Sequence, residues 1–159
     1  VRGITLHQPY ASLIALGVKT YETRSWATKY RGPLLIHAGK KWDSEVIANC
    51  RRAAAALRAS GHDLDFRVML GKVVCLARLD GCVLSRGPSH FPAMDQVFGD
   101  LTTGRYGWRL IDVHRLIPAI PYSGSQGLWI PSPALVARLH GPVAALNHPK
   151  LFPAKESVR

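Results

Sequence analysis

An α+β domain built on a small curled sheet or barrel, flanked by short α-helices, is the fold class this sequence predicts. Three observations carry that reading. The strand signals are short and non-consecutive, the two clear helical patterns lie near the N-terminal end, and no internal repeat or domain linker interrupts the 159 residues. A chain of this length buries one real core. Residues 1–140 are expected to form a single domain, with 141–159 an irregular C-terminal tail rich in proline.

The elements follow in order. Ile4-Thr5-Leu6 is a short apolar strand. Pro9 opens a helix, where its missing N–H costs nothing, and Tyr10, Leu13 and Ile14 follow at helical spacing up to Gly17, a natural left-handed terminator. An extended segment carrying Glu22 and Arg24 comes next. Leu34-Leu35-Ile36 is a continuous apolar run and hence a buried strand, delivering His37, Lys40 and Lys41 at its carboxyl end. Asp43 is a good N-cap for a second helix through Ser60, closed by Gly61. Trp42 and Ile47 fall at the positions of a hydrophobic staple, and Val46, Cys50, Ala53 and Leu57 form the buried stripe. Val68 to Leu84 is the longest strand signal. Residues 86–104 show no period and read as a loop, functional or disordered. Tyr106 to Ile117 returns as a strand, ended by Pro118 and Pro121. A tight turn at 124–127 leads into Leu128-Trp129-Ile130, and Pro133 to Leu139 makes a short last helix.

Composition narrows the function classes. Lysine and arginine number 21 against 10 aspartates and glutamates, a formal net charge of +11. Such an excess attracts polyanions, nucleic acid above all. No stretch approaches the roughly 18 consecutive apolar residues of a membrane span, so no membrane partner is expected. The N-terminal residues lack the layout of a secretory signal. Cys50, Cys75 and Cys82 are odd in number and form no Cys-x-x-Cys pair, which reads as reduced thiols in a cytoplasmic protein. None of the seven histidines has metal-site spacing, so neither a metal nor another cofactor is expected.

Residues 17–26, Gly-Val-Lys-Thr-Tyr-Glu-Thr-Arg-Ser-Trp, are the most informative segment. Alternate residues of a strand share a face, so Glu22, Arg24 and Trp26 are expected to project together, with Lys19 on the turn upstream. Two cations, one carboxylate and one indole suit a polar, planar, anionic ligand such as a nucleotide.

These residues also carry a resemblance. Gln8-Pro9-Tyr10-Ala11-Ser12-Leu13-Ile14, the segment 17–26, Tyr30-Arg31-Gly32-Pro33-Leu34-Leu35-Ile36-His37-Ala38, Phe98-Gly99, Gly104-Arg105-Tyr106-Gly107-Trp108 and Gln126-Gly127-Leu128-Trp129 resemble the ASCH (activating-signal-cointegrator homology) family of the PUA-like superfamily. The resemblance covers roughly residues 3–131, and Gly-x-Lys-x-x-Glu-x-Arg is its most specific part. It implies a β-barrel with a cleft between barrel and helices that takes RNA or nucleotide-like ligands. It also implies a hydrolytic alternative, since one branch of the family cleaves acylated cytidines and other members are assigned ribonuclease activity. The amidohydrolase branch carries a threonine nucleophile in the slot that Glu22 holds here, and a carboxylate does not replace an attacking hydroxyl in the same geometry.

The expected site is a basic cleft. Lys19, Arg24, Lys40, Lys41 and Arg105 supply charge, with arginine offering a bidentate fork. Glu22 and Gln8 supply polar readout, and Trp26, Tyr10, Tyr106 and Trp108 stack on bases. The plainer readings are an ion-paired turn at Lys19, Glu22 and Arg24, core packing for the tryptophans, and capping for Gln8 and Tyr10. Two flanking cations favour the carboxylate form of Glu22, so orientation or base recognition is preferred to proton abstraction. A nucleic-acid-binding module for RNA or a modified nucleotide is the favoured function. The alternatives are a nucleoside amidohydrolase or ribonuclease with Lys19 and Glu22 as the reactive pair, and a DNA-binding regulatory protein.

Overall fold

The computed structural model describes residues 1–61 and 64–144. The elements are β1 (Arg2–Leu6), α1 (Tyr10–Ala15), β2 (Tyr21–Arg24), β3 (Gly32–Ala38), α2 (Ser44–Arg58), β4 (Lys72–Leu84), α3 (Ala93–Phe98), β5 (Tyr106–Pro121), β6 (Leu128–Trp129) and α4 (Pro133–Ala144). The strands make one six-stranded sheet in the order β2-β5-β4-β3-β1-β6. β1 runs parallel to β3, with Thr5 opposite His37, and antiparallel to β6. The long β4–β5 ribbon shifts register between Val73 and Cys75, Leu76 and Arg78, and Leu79 and Gly81. Each irregularity sharpens bend and twist, which curls the sheet toward a half-barrel. The α+β expectation holds.

Burial follows the sequence pattern closely. β3 alternates Leu34 and Ile36 into a core shared with α1, Ala77, Leu79 and Trp108, while Leu35 joins Val73, Leu116 and Trp129 under α4 on the other face. That is why the strand reads as a continuous apolar run. α2 lays Val46, Cys50, Ala53 and Leu57 against Leu13 of α1, Phe66 and Phe98. Its N-cap Asp43 accepts a hydrogen bond from the Val46 amide at 3.0 Å, and Gly61 takes the left-handed conformation at φ +78°.

Four expectations are corrected. Residues 86–104 are not a plain loop, because they fold a 3₁₀ turn at Pro88–His90 and the six-residue helix α3, anchored by buried Phe91, Phe98 and Leu101. A helix that short shows no readable period. β4 starts at Lys72 rather than Val68, after a 3₁₀ turn at Arg67–Met69. β5 continues through Pro118 to Pro121, since β2 pairs only with its first residues and the distal part has a free side that tolerates proline. The last helix extends past Leu139 to Ala144, and residues 145–159 of the expected tail lie outside the described residues.

Candidate functional site

α1 stops where Gly17 enters the left-handed region at φ +72°. The Val18 and Lys19 amides then both donate to the Leu13 carbonyl, at 3.0 and 3.1 Å. This tight exit turns the Lys19 side chain inward, where it is 1% exposed and donates to the Tyr21 carbonyl. Burial pushes the Lys19 ammonium below the usual lysine range, opposed by the negative charges of Glu22 and Asp95.

Asp95, in the first turn of α3, fixes the rest of the turn. Its carboxylate accepts from the Thr20 amide at 2.9 Å, the Thr20 hydroxyl at 2.7 Å and the Tyr21 amide at 2.8 Å. β2 then pairs with β5, setting Glu22 opposite Trp108 and Arg24 opposite Tyr106. Arg24 Nε lies 3.1 Å from the Glu22 carboxylate, and its Nη2 donates to the Thr5 carbonyl at 3.3 Å. Arg105 lies 3.1 Å from Asp100 through Nε and donates to the Thr23 carbonyl at 3.5 Å. Hydrogen bonds from Thr102, aided by Arg105, hold the Asp100 carboxyl below the usual range. Both Nε–carboxylate contacts are ion pairs without the geometry of a hydrogen bond.

Together these groups line a cleft of about 270 Å³. Thr5, Leu6 and His7 at the end of β1 form one wall and Tyr10 of α1 another. Lys19, Glu22, Thr23 and Arg24 come from the motif, and Phe98, Gly99, Asp100 and Arg105 close the far side. Gly99 matters for close approach: a Cβ there would meet the Asp95 carbonyl at 2.8 Å and Lys19 Nζ at 3.4 Å. Burial raises the Tyr10 phenol, opposed by Arg52.

Of the residues picked from sequence, the structure gathers Lys19, Glu22, Arg24, Tyr10 and Arg105 on this cleft. The others lie off it. Gln8 is fully buried and structural, its amide donating to the Ser12 hydroxyl at 2.7 Å and the Phe66 carbonyl at 3.1 Å. Trp108 is fully buried and offers no face to a ligand. Trp26 lies past the end of β2 rather than on its face, packing edge-to-face on Trp108 with ring centroids 4.6 Å apart. Tyr106, at the start of β5, is partly buried and packs against the core. Lys41 is ion-paired with Asp43 at 3.1 Å and Glu45 at 3.5 Å, and Lys40 borders a different cavity. Sequence reasoning missed Asp95 and Asp100, which sit in the stretch without a period. The buried Phe91, Phe98 and Leu101 there were the available signal.

Comparison with known proteins decides the family. The ASCH domain model matches residues 4–99, more than half of the chain. The chain belongs to the ASCH domain family. The domain is 39% identical over 133 residues to activating signal cointegrator 1 of Mus musculus, an alignment covering 79% of this chain and 21% of that protein. The human protein of the same name is 39% identical over 64 residues, 40% of this chain and 11% of the relative. The match thus spans about a fifth of the mouse relative's length. Among solved structures, the crystal structure of ASCH from Zymomonas mobilis superposes with a TM-score of 0.52 at 14% identity, covering 88% of this chain and 93% of that one. At that identity the likeness concerns the fold alone, an α+β architecture on a curled six-stranded sheet. Among the described residues, no helix is long and apolar enough to cross a membrane.

Proposed function

We propose that this ASCH domain binds nucleic acid, RNA or a modified nucleotide in preference to DNA, through the cleft around Lys19, Glu22, Arg24 and Arg105. The observation that carries the reading is the cleft's mixed chemistry. Two guanidinium groups and a buried ammonium share it with two carboxylates and the ring of Tyr10. A bare phosphate needs only the cations, whereas a nucleobase also presents donors for the carboxylates and a flat face for an aromatic ring. The volume of about 270 Å³ lies just below the ~300–1,000 Å³ of ordinary ligand pockets, which suits one base with its sugar. The net charge of +11 supplies long-range attraction.

The test is an array of RNA and DNA oligonucleotides probed with wild type and Lys19→Ala. Binding with a log–log salt slope of roughly −2 to −4, matching about three to five phosphates on a single strand, supports the reading. An affinity that stays flat with salt contradicts it, and a preference for DNA favours the regulatory alternative.

A hydrolytic reading rests on a specific observation: an amine of lowered pKa at Lys19 borders the same cleft as the Glu22 carboxylate. Mass spectrometry after incubation with acylated cytidines and RNA fragments tests it. Turnover lost in both Lys19→Ala and Glu22→Ala establishes an enzyme, and unchanged substrates with all variants exclude these reactions.

A further inference from the structure

A second cavity, of about 300 Å³, opens on the other side of Thr5 from the motif cleft. Thr5 lines both. Its carbonyl receives Arg24 on the cleft side, and its hydroxyl accepts the Trp129 indole N–H at 3.2 Å. The two cavities are therefore divided by a single strand end.

The walls of the second cavity are firmly held. The Tyr122 amide donates to the Gly71 carbonyl at 3.0 Å, and His37 Nε2 donates to the Tyr122 carbonyl at 2.9 Å. These two bonds fix the segment that presents Ser123 and Gly124. Gly124 packs so closely that a Cβ there would lie 2.3 Å from Thr5 Oγ1 and 2.4 Å from His37 Nδ1. The Lys40 stem lies over Gly71, where a Cβ would meet Lys40 Cε at 2.9 Å. An exposed lysine is thereby laid along a defined path.

The electrostatics differ from those of the motif cleft. There, Glu22 and Asp100 answer the arginines. Here, among the described residues, Lys40 is the one charged side chain lining the cavity, no carboxylate borders it, and Lys40 makes no ion pair. Burial, with Lys40 nearby, pushes His37 below the usual histidine range. Lysine donors, a serine hydroxyl and no opposing acid suit an anionic oxygen group.

We infer that this cavity is a phosphate subsite for the nucleotide adjoining the one in the motif cleft, with Lys40 as its cation and Ser123 beside it. The inference rests on the nucleic-acid reading of that cleft and deepens it: the ligand is a strand with an internucleotide phosphate, rather than a lone nucleoside.

The test is fluorescence anisotropy with a labelled, mixed-sequence single-stranded RNA octamer across a salt series. The proteins are wild type, Lys40→Ala, Lys40→Arg, Arg105→Ala and the charge-matched Lys41→Ala, whose lysine the structure seats in ion pairs away from the cavity. Lys40→Ala is expected to weaken binding about five- to tenfold and reduce the salt slope by about 0.7, one phosphate's share on a single strand. Lys40→Arg should restore both, and Lys41→Ala should change affinity less than about twofold, a rim charge's effect. Equal effects of Lys40→Ala and Lys41→Ala, with Arg105→Ala still weakening binding, overturn the subsite and leave the cleft reading standing. No binding of the octamer by wild type overturns both.

Discussion

Asp95 grips Thr20 twice, taking its amide at 2.9 Å and its hydroxyl at 2.7 Å, and reaches the next amide, Tyr21, at 2.8 Å. A fully buried carboxylate from one short helix thus satisfies the donors of the turn that carries Lys19 and starts β2. The motif's geometry depends on a residue about 75 positions away.

Asp95→Ala removes that acceptor and strands two part-buried backbone N–H groups. Hydrogen bonds to a charged acceptor contribute about 1.5–3 kcal/mol each, not additively, so a loss of about 3–5 kcal/mol is expected in urea unfolding, with Asp95→Asn losing less. A loss under about 1 kcal/mol would show that β2–β5 pairing alone holds the turn.

Arg105→Ala separates binding from folding. Its partner Asp100 is half-exposed, so the ion pair contributes at most about 1 kcal/mol. Oligonucleotide affinity is expected to fall roughly tenfold, as for loss of one charge-assisted hydrogen bond. Unaltered affinity in the same titration would remove Arg105 from the interface.

The two tryptophans that touch are expected to behave differently. Trp108→Ala empties a fully buried site and should cost about 3–5 kcal/mol. Trp26→Ala loses an exposed edge-to-face contact, about 0.5–1.5 kcal/mol, and leaves ligand affinity within twofold. A large affinity loss at Trp26 would place the ligand outside the cleft described here.

His37 makes stability pH-dependent with a definite sign. Its folded pKa is lowered by burial, so below the unfolded value of ~6.5 the unfolded chain takes up a proton that the folded chain does not. Stability therefore falls as pH drops from about 6.5 toward the folded pKa, below which the loss levels off. His37→Gln should flatten the fall of Tm over that window relative to wild type. An identical fall in both proteins would assign it to other groups.

What was legible in the sequence depended on short-range rules. Asp43, Val46, Cys50 and Gly61 declare α2 because cap, stripe and terminator all lie within one helix. Lys19, Glu22 and Arg24 could be grouped because six positions of chain bring them together. Gln8 misled, since its partners Ser12 and Phe66 only become evident once α1 packs. Trp26 misled because alternation holds only inside a strand, and β2 ends at Arg24. Trp108 and Asp95 owe their roles to burial by elements distant in sequence, which local periodicity does not encode.

The placement of β1 between β3 and β6 ties together segments more than 120 positions apart, with Gly3 lying against the Trp129 ring. A piece ending at residue 99, the limit of the matched family region, would lack β5, the one neighbour of β2 among the described residues, and would leave the first strand without β6. During synthesis the opening strand must therefore wait for its second neighbour until Leu128 and Trp129 have left the ribosome. The ridge shared by both cavities is completed only when these later residues join Thr5.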